Sequence, residues 1–439
     1  MRAIRVAIAG LGFVGRQTAR LLKANQNRIS ESLGAKLELA AVCDRRVQRE
    51  AAGLGLGKSV LRTRDPRELL KLPGLDIIVE LLGGLEAPLQ LVLGALKSGR
   101  HVVTANKALL AHHWNEIQGL ASKNSARVYH EASVAGGIPI ISALDKGFAA
   151  DRIEAVYGIL NGTTNYLLTR GEEGLDMDSA LREAQNLGLA EKNPKIDLSG
   201  QDTAQKISIL GSLLTGAWLN PSRIARQGIY GLDRSDIDFA KANLGRTPRL
   251  LGTLRLNWPK AAGSAGVRIE AHVYPTLVPL NHPLAAVRRE YNAVLVHASC
   301  AGDLMFYGKG AGPDPAASAV VSDIFTLARD ILCAAPVKKR KPAALQLTPS
   351  AQYSSPFYLR LLAQDKPGVL AQITAALGRR AVSIASIHQP NAGAAKGRGT
   401  LIILTTHPTT QGRFEQALKA ILALKAVAPR HTVLRILEC

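Results

Sequence analysis

The stretch 188–210, GLAEKNPKIDLSGQDTAQKISIL, gathers Glu191, Lys192, Lys195, Asp197, Asp202 and Lys206 within a short length of chain. From Thr203 onward its apolar members Ala204, Ile207 and Leu210 recur at helical spacing, so a helix is predicted there. Asp202 stands at the helix start, where a carboxylate suits the positive end of the helix dipole. Lys206 follows four residues later, which puts both side chains on one face and within reach of a single ligand. Glu191 arrives from the preceding loop, and Pro194 is expected to keep that loop from being helical. Carboxylates and an ammonium that converge in this way can hold a zwitterionic substrate and shuttle one proton. Charge spacing alone favours a plainer arrangement, an exposed helix with one i,i+4 pair. The remainder of the chain reverses that choice.

The elements that would set a cofactor against this cluster begin at the N-terminus. Residues 4–9, IRVAIA, read as a short buried strand, followed by Gly10-Leu11-Gly12-Phe13-Val14-Gly15 and a helix over 16–24. The first glycine allows a tight turn, the second lets a pyrophosphate approach the backbone, and the third lets helix and strand pack closely. The helix N-terminus then supplies amide donors to the phosphates. A second strand, 37–42, ends at Cys43-Asp44-Arg45-Arg46. An acid at this place holds adenine-ribose hydroxyls, whereas arginines accept a 2′-phosphate, so the mixture favours NADP and leaves NAD possible. Asp44 lies farther from the glycines than the usual spacing of about 20 residues. The excess is assigned to an insertion around 25–34.

Further β–α units follow. A strand over 76–81 ends in Leu82-Gly83-Gly84, Pro88 opens a helix to Lys97, and a strand after Arg100 stops at Asn106-Lys107 before another helix. Repeats of this kind predict a parallel sheet with its ligand crevice beyond the carboxyl ends of the strands. Gly83 and Lys107 both fall at such ends, so Lys107 is read as a crevice residue. Residues 128–142, VYHEASVAGGIPIIS, read as a strand, a glycine-rich turn and a helix start. Carbonyls around Gly136-Gly137, with Glu131 nearby, could coordinate a hard cation. From the residues alone, a tight connection between domains is the simpler explanation.

From 145 to 315 the pattern becomes α+β, with strands expected over 152–160, 268–273 and 293–299 and helices over 177–187 and 203–214. Its open sheet could pair with a second subunit. Asn161-Gly162-Thr163-Thr164-Asn165 is read as a helix cap. Gly308-Lys309-Gly310-Ala311-Gly312 is a second glycine loop, feeding a helix over 316–332 that is expected to pack back on the first domain. Residues 336–356, with the basic run 338–341, read as a linker. Beyond it, strands over 357–363, 382–389, 400–406 and 431–437 and helices over 369–379 and 414–425 give β-α-β-β-α-β, the ferredoxin-like order. That part has no catalytic constellation, so binding or regulation is its expected task. The boundaries are therefore 1–144, 145–335, a linker over 336–356, and 357–439.

Composition sets limits on partners. Apolar residues at 47% and charged residues at 20% describe an ordinary globular protein. A net charge of +21 would suit nucleic acid, but the basic residues are scattered apart from 338–341. No nucleic-acid or membrane partner is expected, since no apolar run approaches bilayer length. The start, MRAIRVAIAGLGFVG, is too short and glycine-broken for a signal peptide. Cys43, Cys300, Cys333 and Cys439 show neither pairing nor metal spacing, which suits free thiols in a reducing cytoplasm.

Taken together the chain resembles homoserine dehydrogenase with a C-terminal ACT regulatory domain. GLGFVG, ELLGG, VVTANKALL, HEASVAGGIPII, LNGTTNYLL, the 188–210 stretch and GKGAGPDPAASAVVSDI carry that resemblance, and LLAQDKPGVLAQITAAL is similar to the opening of ACT modules. It implies an α/β protein with a Rossmann-type nucleotide-binding domain, an α+β catalytic and dimerisation domain and a ferredoxin-like ACT domain. The implied reaction is reversible hydride transfer between NADPH and L-aspartate 4-semialdehyde, giving L-homoserine for threonine, methionine and isoleucine biosynthesis. Lys206 would be the acid/base and Lys107 its partner. Glu191 would bind the substrate amine, and Asp197 and Asp202 would support the site. With Gly10, Asp44, Arg46, Gly83 and Lys107 from the motif reading, Gly12, Phe13, Val14, Gly15, Arg45 and Gly310 would contact NADP.

The resemblance also implies a monovalent cation such as Na+ held by Glu131 and the carbonyls of Val134, Gly136 and Ile138. L-Threonine is the effector it implies, and a homodimer or homotetramer the assembly. Two positions depart from the family pattern: Lys192-Asn193 where Ala-Asp is usual, and Ala316 where threonine is common. The competing readings are an aspartate-semialdehyde dehydrogenase, which needs a cysteine nucleophile, and a non-catalytic amino-acid sensor that binds nucleic acid.

Overall fold

Ile4, Val6 and Ile8 face one core and Ala7 and Ala9 another, and all five are buried. A strand apolar on both faces belongs in a parallel sheet covered by helices on both sides. The computed structural model, which describes residues 3–259, 266–337, 344–389 and 399–438, has that sheet. Its strands are β1 (Ala3–Ala9), β2 (Lys36–Cys43), β3 (Leu61–Thr63), β4 (Ile77–Glu80), β5 (His101–Thr104) and β6 (Val128–Tyr129). They run parallel in the order β3-β2-β1-β4-β5-β6. The order reverses at β1, which places a ligand crevice over the glycine turn.

A second sheet begins with β7 (Ile153–Ile159), the short β8 (Ala225–Arg226), β9 (Arg246–Asn257), β10 (Val267–Pro279), β11 (Tyr291–Ala298) and β12 (Gly302–Lys309). β13 (Leu345–Leu347) and β14 (Ser354–Ser355) precede the C-terminal unit, which holds β15 (Phe357–Ala363), β16 (Ile384–His388), β17 (Thr400–Thr406), β18 (Thr409–Thr410) and β19 (Val427–Ile436). The main path runs β12-β11-β7-β9-β10-β19-β15-β17-β16. The ferredoxin-like sheet is thus continuous with the α+β sheet, through Thr276↔Arg435 and Leu277↔Ile436. Helix Gln201–Thr215 packs on β9 and β10, where Ile207 would touch any Cβ placed at Gly252.

Helix Pro313–Leu332 contributes Val320, Ile324 and Leu327 to the core that Ile4, Val6 and Ile8 line, so it lies on the first sheet. The Tyr129 hydroxyl bonds Asp330 Oδ2 of that helix at 2.6 Å.

Several local expectations differ from the structure. The insertion at 25–34 is helix Gln26–Leu33, closed by Gly34 in the left-handed region. Pro194 does not exclude helix: it precedes the single turn Lys195–Leu198, because a missing N–H costs nothing at a helix start. The strand read into 128–142 is only Val128–Tyr129, since the chain turns into the 3-10 helix Glu131–Ser133 and then through Ala135 and Gly136, both at positive φ. Residues 344–355, expected as linker, include β13 paired with β10, and Tyr353 is buried. The basic run 338–341 lies outside the described residues.

Candidate active site

Gly200, with φ 76°, turns the chain sharply from the one-turn helix Lys195–Leu198 into helix Gln201–Thr215. That helix is buried along almost its whole length, which disposes of the exposed-helix reading. Asp202 is 2% exposed and Lys206 9%. Lys206 Nζ lies 2.8 Å from Asp202 Oδ2 and donates to the Leu160 carbonyl. Lys107, at the start of the helix after β5, reaches across from the first unit and places its Nζ 2.6 Å from Asp202 Oδ1. Asn161 Nδ2 donates to Asp202 Oδ2 at 2.9 Å and to Asp197 Oδ1 at 2.7 Å.

These contacts set the charges. Burial alone would raise the Asp202 carboxyl, but Lys206 and Lys107 outweigh it and hold it well below the usual carboxylate range. Burial depresses the Lys206 ammonium; Asp202 opposes that and Lys107 adds to it, and the net direction is down. Lys107 is desolvated too, yet Asp202, Asp197 and Glu191 together carry it upward. Burial raises Asp197, against the Asn161 hydrogen bond. The arrangement sets a lysine whose proton affinity is lowered beside one whose proton affinity is raised, with a carboxylate between them. Glu191 stays exposed at the rim and acts on Lys107 through its charge.

On the cofactor side, a Cβ at Gly10 would meet the Leu81 oxygen at 2.3 Å, and one at Gly15 would meet the Gly10 oxygen at 1.9 Å, so only glycine fits. Gly12 faces open space, as a backbone approached by pyrophosphate must. Phe13 opens the helix Phe13–Ala24 and is exposed, with the Arg16 guanidinium over its ring, and Val14 follows it in the first turn. Asp44 departs from the simple ribose role: its Oδ2 accepts from Leu11 N at 2.9 Å and its Oδ1 from Arg46 N at 2.8 Å, bracing the glycine loop. Arg46 pairs with buried Glu50, whereas Arg45 lies exposed at the strand end. Asn106 Nδ2 bonds the Gly84 carbonyl at 2.8 Å, fastening the Gly83-Gly84 loop to the Lys107 helix. Gly310 lies against the Asn292 side chain, and a Cβ at Gly136 would strike the Gly310 oxygen at 2.5 Å.

Two family models for homoserine dehydrogenase match the chain, the NAD-binding domain over residues 10–131 and the homoserine dehydrogenase domain over 139–325, and an ACT domain matches 357–426. Homoserine dehydrogenase from Neisseria gonorrhoeae is 39% identical over 443 residues, covering 99% of each chain. The chain belongs to the homoserine dehydrogenase family. The relative from Bacillus subtilis is 35% identical over 99% of both chains. The crystal structure of a homoserine dehydrogenase from Thiobacillus denitrificans superposes with a TM-score of 0.88, at 37% identity over 100% of this chain and 99% of that one. A hyperthermophilic archaeal homoserine dehydrogenase in complex with NADPH matches 74% of this chain and 97% of its own, with a TM-score of 0.61 and 26% identity.

As a homoserine dehydrogenase, the chain is an NAD(P)-using oxidoreductase with an ACT domain. Sequence reading took Asn161 for a cap alone. It is one, accepting from Thr164 N at 2.9 Å, while its amide nitrogen joins Asp197 to Asp202. An N-cap asparagine following a strand end, at the level where the active crevice opens, was the available signal. The family departures Lys192-Asn193 are exposed, at the rim with Glu191. Glu131 is buried and accepts from Ile141 N at 2.7 Å and Ser142 N at 2.9 Å, with a further hydrogen bond from the Ser142 side chain. With carbonyls of Val134, Gly136 and Ile138 in the adjoining turn, that all-oxygen donor set suits a hard monovalent ion. Cys43 cannot serve as a thiol nucleophile, since burial pushes it up to about 12. Cys300 sits exposed on the β11–β12 turn with Ser299 Oγ 3.9 Å from its sulfur.

Proposed function

We propose that this homoserine dehydrogenase interconverts L-aspartate 4-semialdehyde and L-homoserine with Lys206 as the group that moves the proton. The observation that carries the reading is the Lys107–Asp202–Lys206 bridge across the crevice. The bound dinucleotide supplies or accepts the hydride. The Lys206 ammonium donates to the oxygen as negative charge grows on the aldehyde carbonyl, and in the reverse direction the neutral amine takes the hydroxyl proton. Burial lowers its proton affinity, which favours the second role. Asp202 fixes the amine, and Lys107 adds positive charge near the reacting oxygen. Asp197 and Glu191 take the substrate ammonium, a role supported by the placement of Asp197 beside Asp202 and Asn161.

NADP is the preferred cofactor. Asp44 spends both carboxylate oxygens on backbone amides, leaving exposed Arg45 as the residue suited to a 2′-phosphate. The archaeal relative solved with NADPH agrees with that choice. A monovalent cation at Glu131 would hold that carboxylate ionised and stiffen the turn against Gly310. L-Threonine acts through the ACT domain, and the open edge at β12 suits assembly into a homodimer or homotetramer. Initial rates with homoserine and NADP or NAD, with and without threonine, test the reading. Oxidation faster with NADP and slowed by threonine supports it; no oxidation of homoserine with either cofactor refutes it.

A further inference from the structure

Between the α+β unit and the ACT domain runs the segment Gln227-Gly228-Ile229-Tyr230-Gly231, which touches the substrate side of the site at one end and ACT strands at the other. Ile229 N donates to the Leu198 carbonyl at 3.0 Å, and Leu198 closes the one-turn helix that carries Asp197. Gly228 lies so close that a Cβ there would sit 2.1 Å from the Leu198 oxygen and 2.8 Å from Ser199 Cα. Gln227 N bonds the Val273 carbonyl at 2.9 Å, anchoring the segment beside β10. Further bonds reach the ACT domain. Gln227 Nε2 donates to the Val433 carbonyl at 2.9 Å, and Thr432 Oγ1 to the Gly231 carbonyl at 2.9 Å.

The ACT end is itself firmly held. Arg360 of β15 is 6% exposed and grips fully buried Asp236 through Nε at 2.6 Å and Nη2 at 2.9 Å. The same Nη2 bonds Thr432 Oγ1 at 2.6 Å and the Gly231 carbonyl at 3.3 Å. The Tyr358 hydroxyl adds a bond to Asp236 Oδ1 at 2.9 Å. A shift of β15 or β19 therefore moves Gly231 and Gln227, and through Gly228 and Ile229 it moves the carbonyl end of the Asp197 helix.

We propose that residues 227–231 form a positioning strap through which the ACT domain sets the placement of Asp197, and with it the affinity for the amino-acid substrate. The proposal rests on the reading of Asp197 as a substrate contact. Among the described residues no hydrogen bond joins the strap to either glycine loop, so KM for the cofactor is expected to stay unchanged. Gln227, Gly228 and Thr432 are positioning residues.

The test is steady-state kinetics of homoserine oxidation by the full chain. Gln227→Met removes one strap hydrogen bond at nearly constant shape, and Thr432→Val removes the Gly231 bond together with the one from Arg360; each raises KM for homoserine about fivefold, with KM for NADP and kcat within about twofold of wild type. Thr432→Ser, which keeps the hydroxyl, restores the wild-type KM. Gly228→Ala, which must displace Leu198, raises KM about tenfold; if it fails to fold, the other two variants decide. An unchanged homoserine KM in both Gln227→Met and Thr432→Val, or a parallel rise in KM for NADP, overturns the proposal. Asp197→Asn separates the two layers. If that variant leaves the homoserine KM unchanged, the substrate reading fails and the strap falls with it. A raised KM there with silent strap variants sinks the strap alone.

Discussion

Lys107 and Asp202 meet at 2.6 Å although one opens a helix of the nucleotide-binding unit and the other a helix of the α+β unit. Asp202 therefore carries two ammonium groups, and the protonation of Lys206 depends on both partners. Asp202 raises the proton affinity of Lys206, and Lys107 lowers it. Homoserine oxidation needs the neutral amine, so kcat/KM should rise with pH through the Lys206 pKa. Asp202→Asn should move that limb to lower pH and Lys107→Gln to higher pH, both with reduced kcat. Profiles of kcat/KM against pH read the two shifts, and displacement in the same direction would refute the charge assignment.

Asn161 holds two jobs that substitution can separate. Asn161→Ala removes the cap of helix Gly162–Glu172 and the donor to both carboxylates. It should cost about 1 kcal/mol in stability and raise KM for homoserine. Asn161→Asp keeps an oxygen to cap the helix but sets a third acid beside Asp197 and Asp202. Thermal denaturation should show the helix largely retained, while kinetics show substrate affinity lost as badly as in the alanine variant.

The Asp202–Lys206 pair of the 188–210 stretch was legible because i,i+4 spacing survives folding, and the two side chains meet; Glu191 stays at the exposed rim. The glycine turn was legible for a similar reason, since Gly10 and Gly15 answer steric demands from within one β–α unit. What the sequence concealed is contact between distant elements. Nothing local to Lys107 says that Asp202 will lie against it, and Asp44 looked free until Leu11 folded onto it. β9 was missed because RTPRLLGTLRLN lacks alternation. Arg249, which reads as a solvent residue, is fully buried against Glu172. Nor does periodicity show that β19 extends the sheet beyond β10, because edge pairing depends on which edges remain free.

The Arg360–Asp236 pair joins the ACT domain to the α+β unit out of water. Removing one member of such a pair strands a buried charge and costs about 3–5 kcal/mol. Arg360→Met should lower the denaturation midpoint accordingly, and a double-mutant cycle with Asp236→Asn should recover part of the loss. Additive losses would mean the two side chains do not act on each other.

Asp323, on helix Pro313–Leu332, accepts from Glu131 N at 2.7 Å. With no cation at Glu131, burial and then the Glu131 charge raise its carboxyl to about 8, against 3.8 for the ordinary group, so the measurement is made in buffer free of Na+ and K+. Between those values the folded chain binds the proton and the unfolded chain does not, so this group's contribution to stability falls as pH rises through that window. Asp323→Asn should flatten that part of the curve of Tm against pH. An unchanged slope would show that Asp323 is ionised in the fold.

The most direct measurement is single-turnover reduction of NADP by homoserine in Lys206→Ala, with and without added primary amines. The rate should fall about 10²–10⁴-fold while NADPH binding is retained, and small amines such as ethylamine should restore part of it. Near wild-type turnover without any amine would contradict the assignment of Lys206 as the proton carrier.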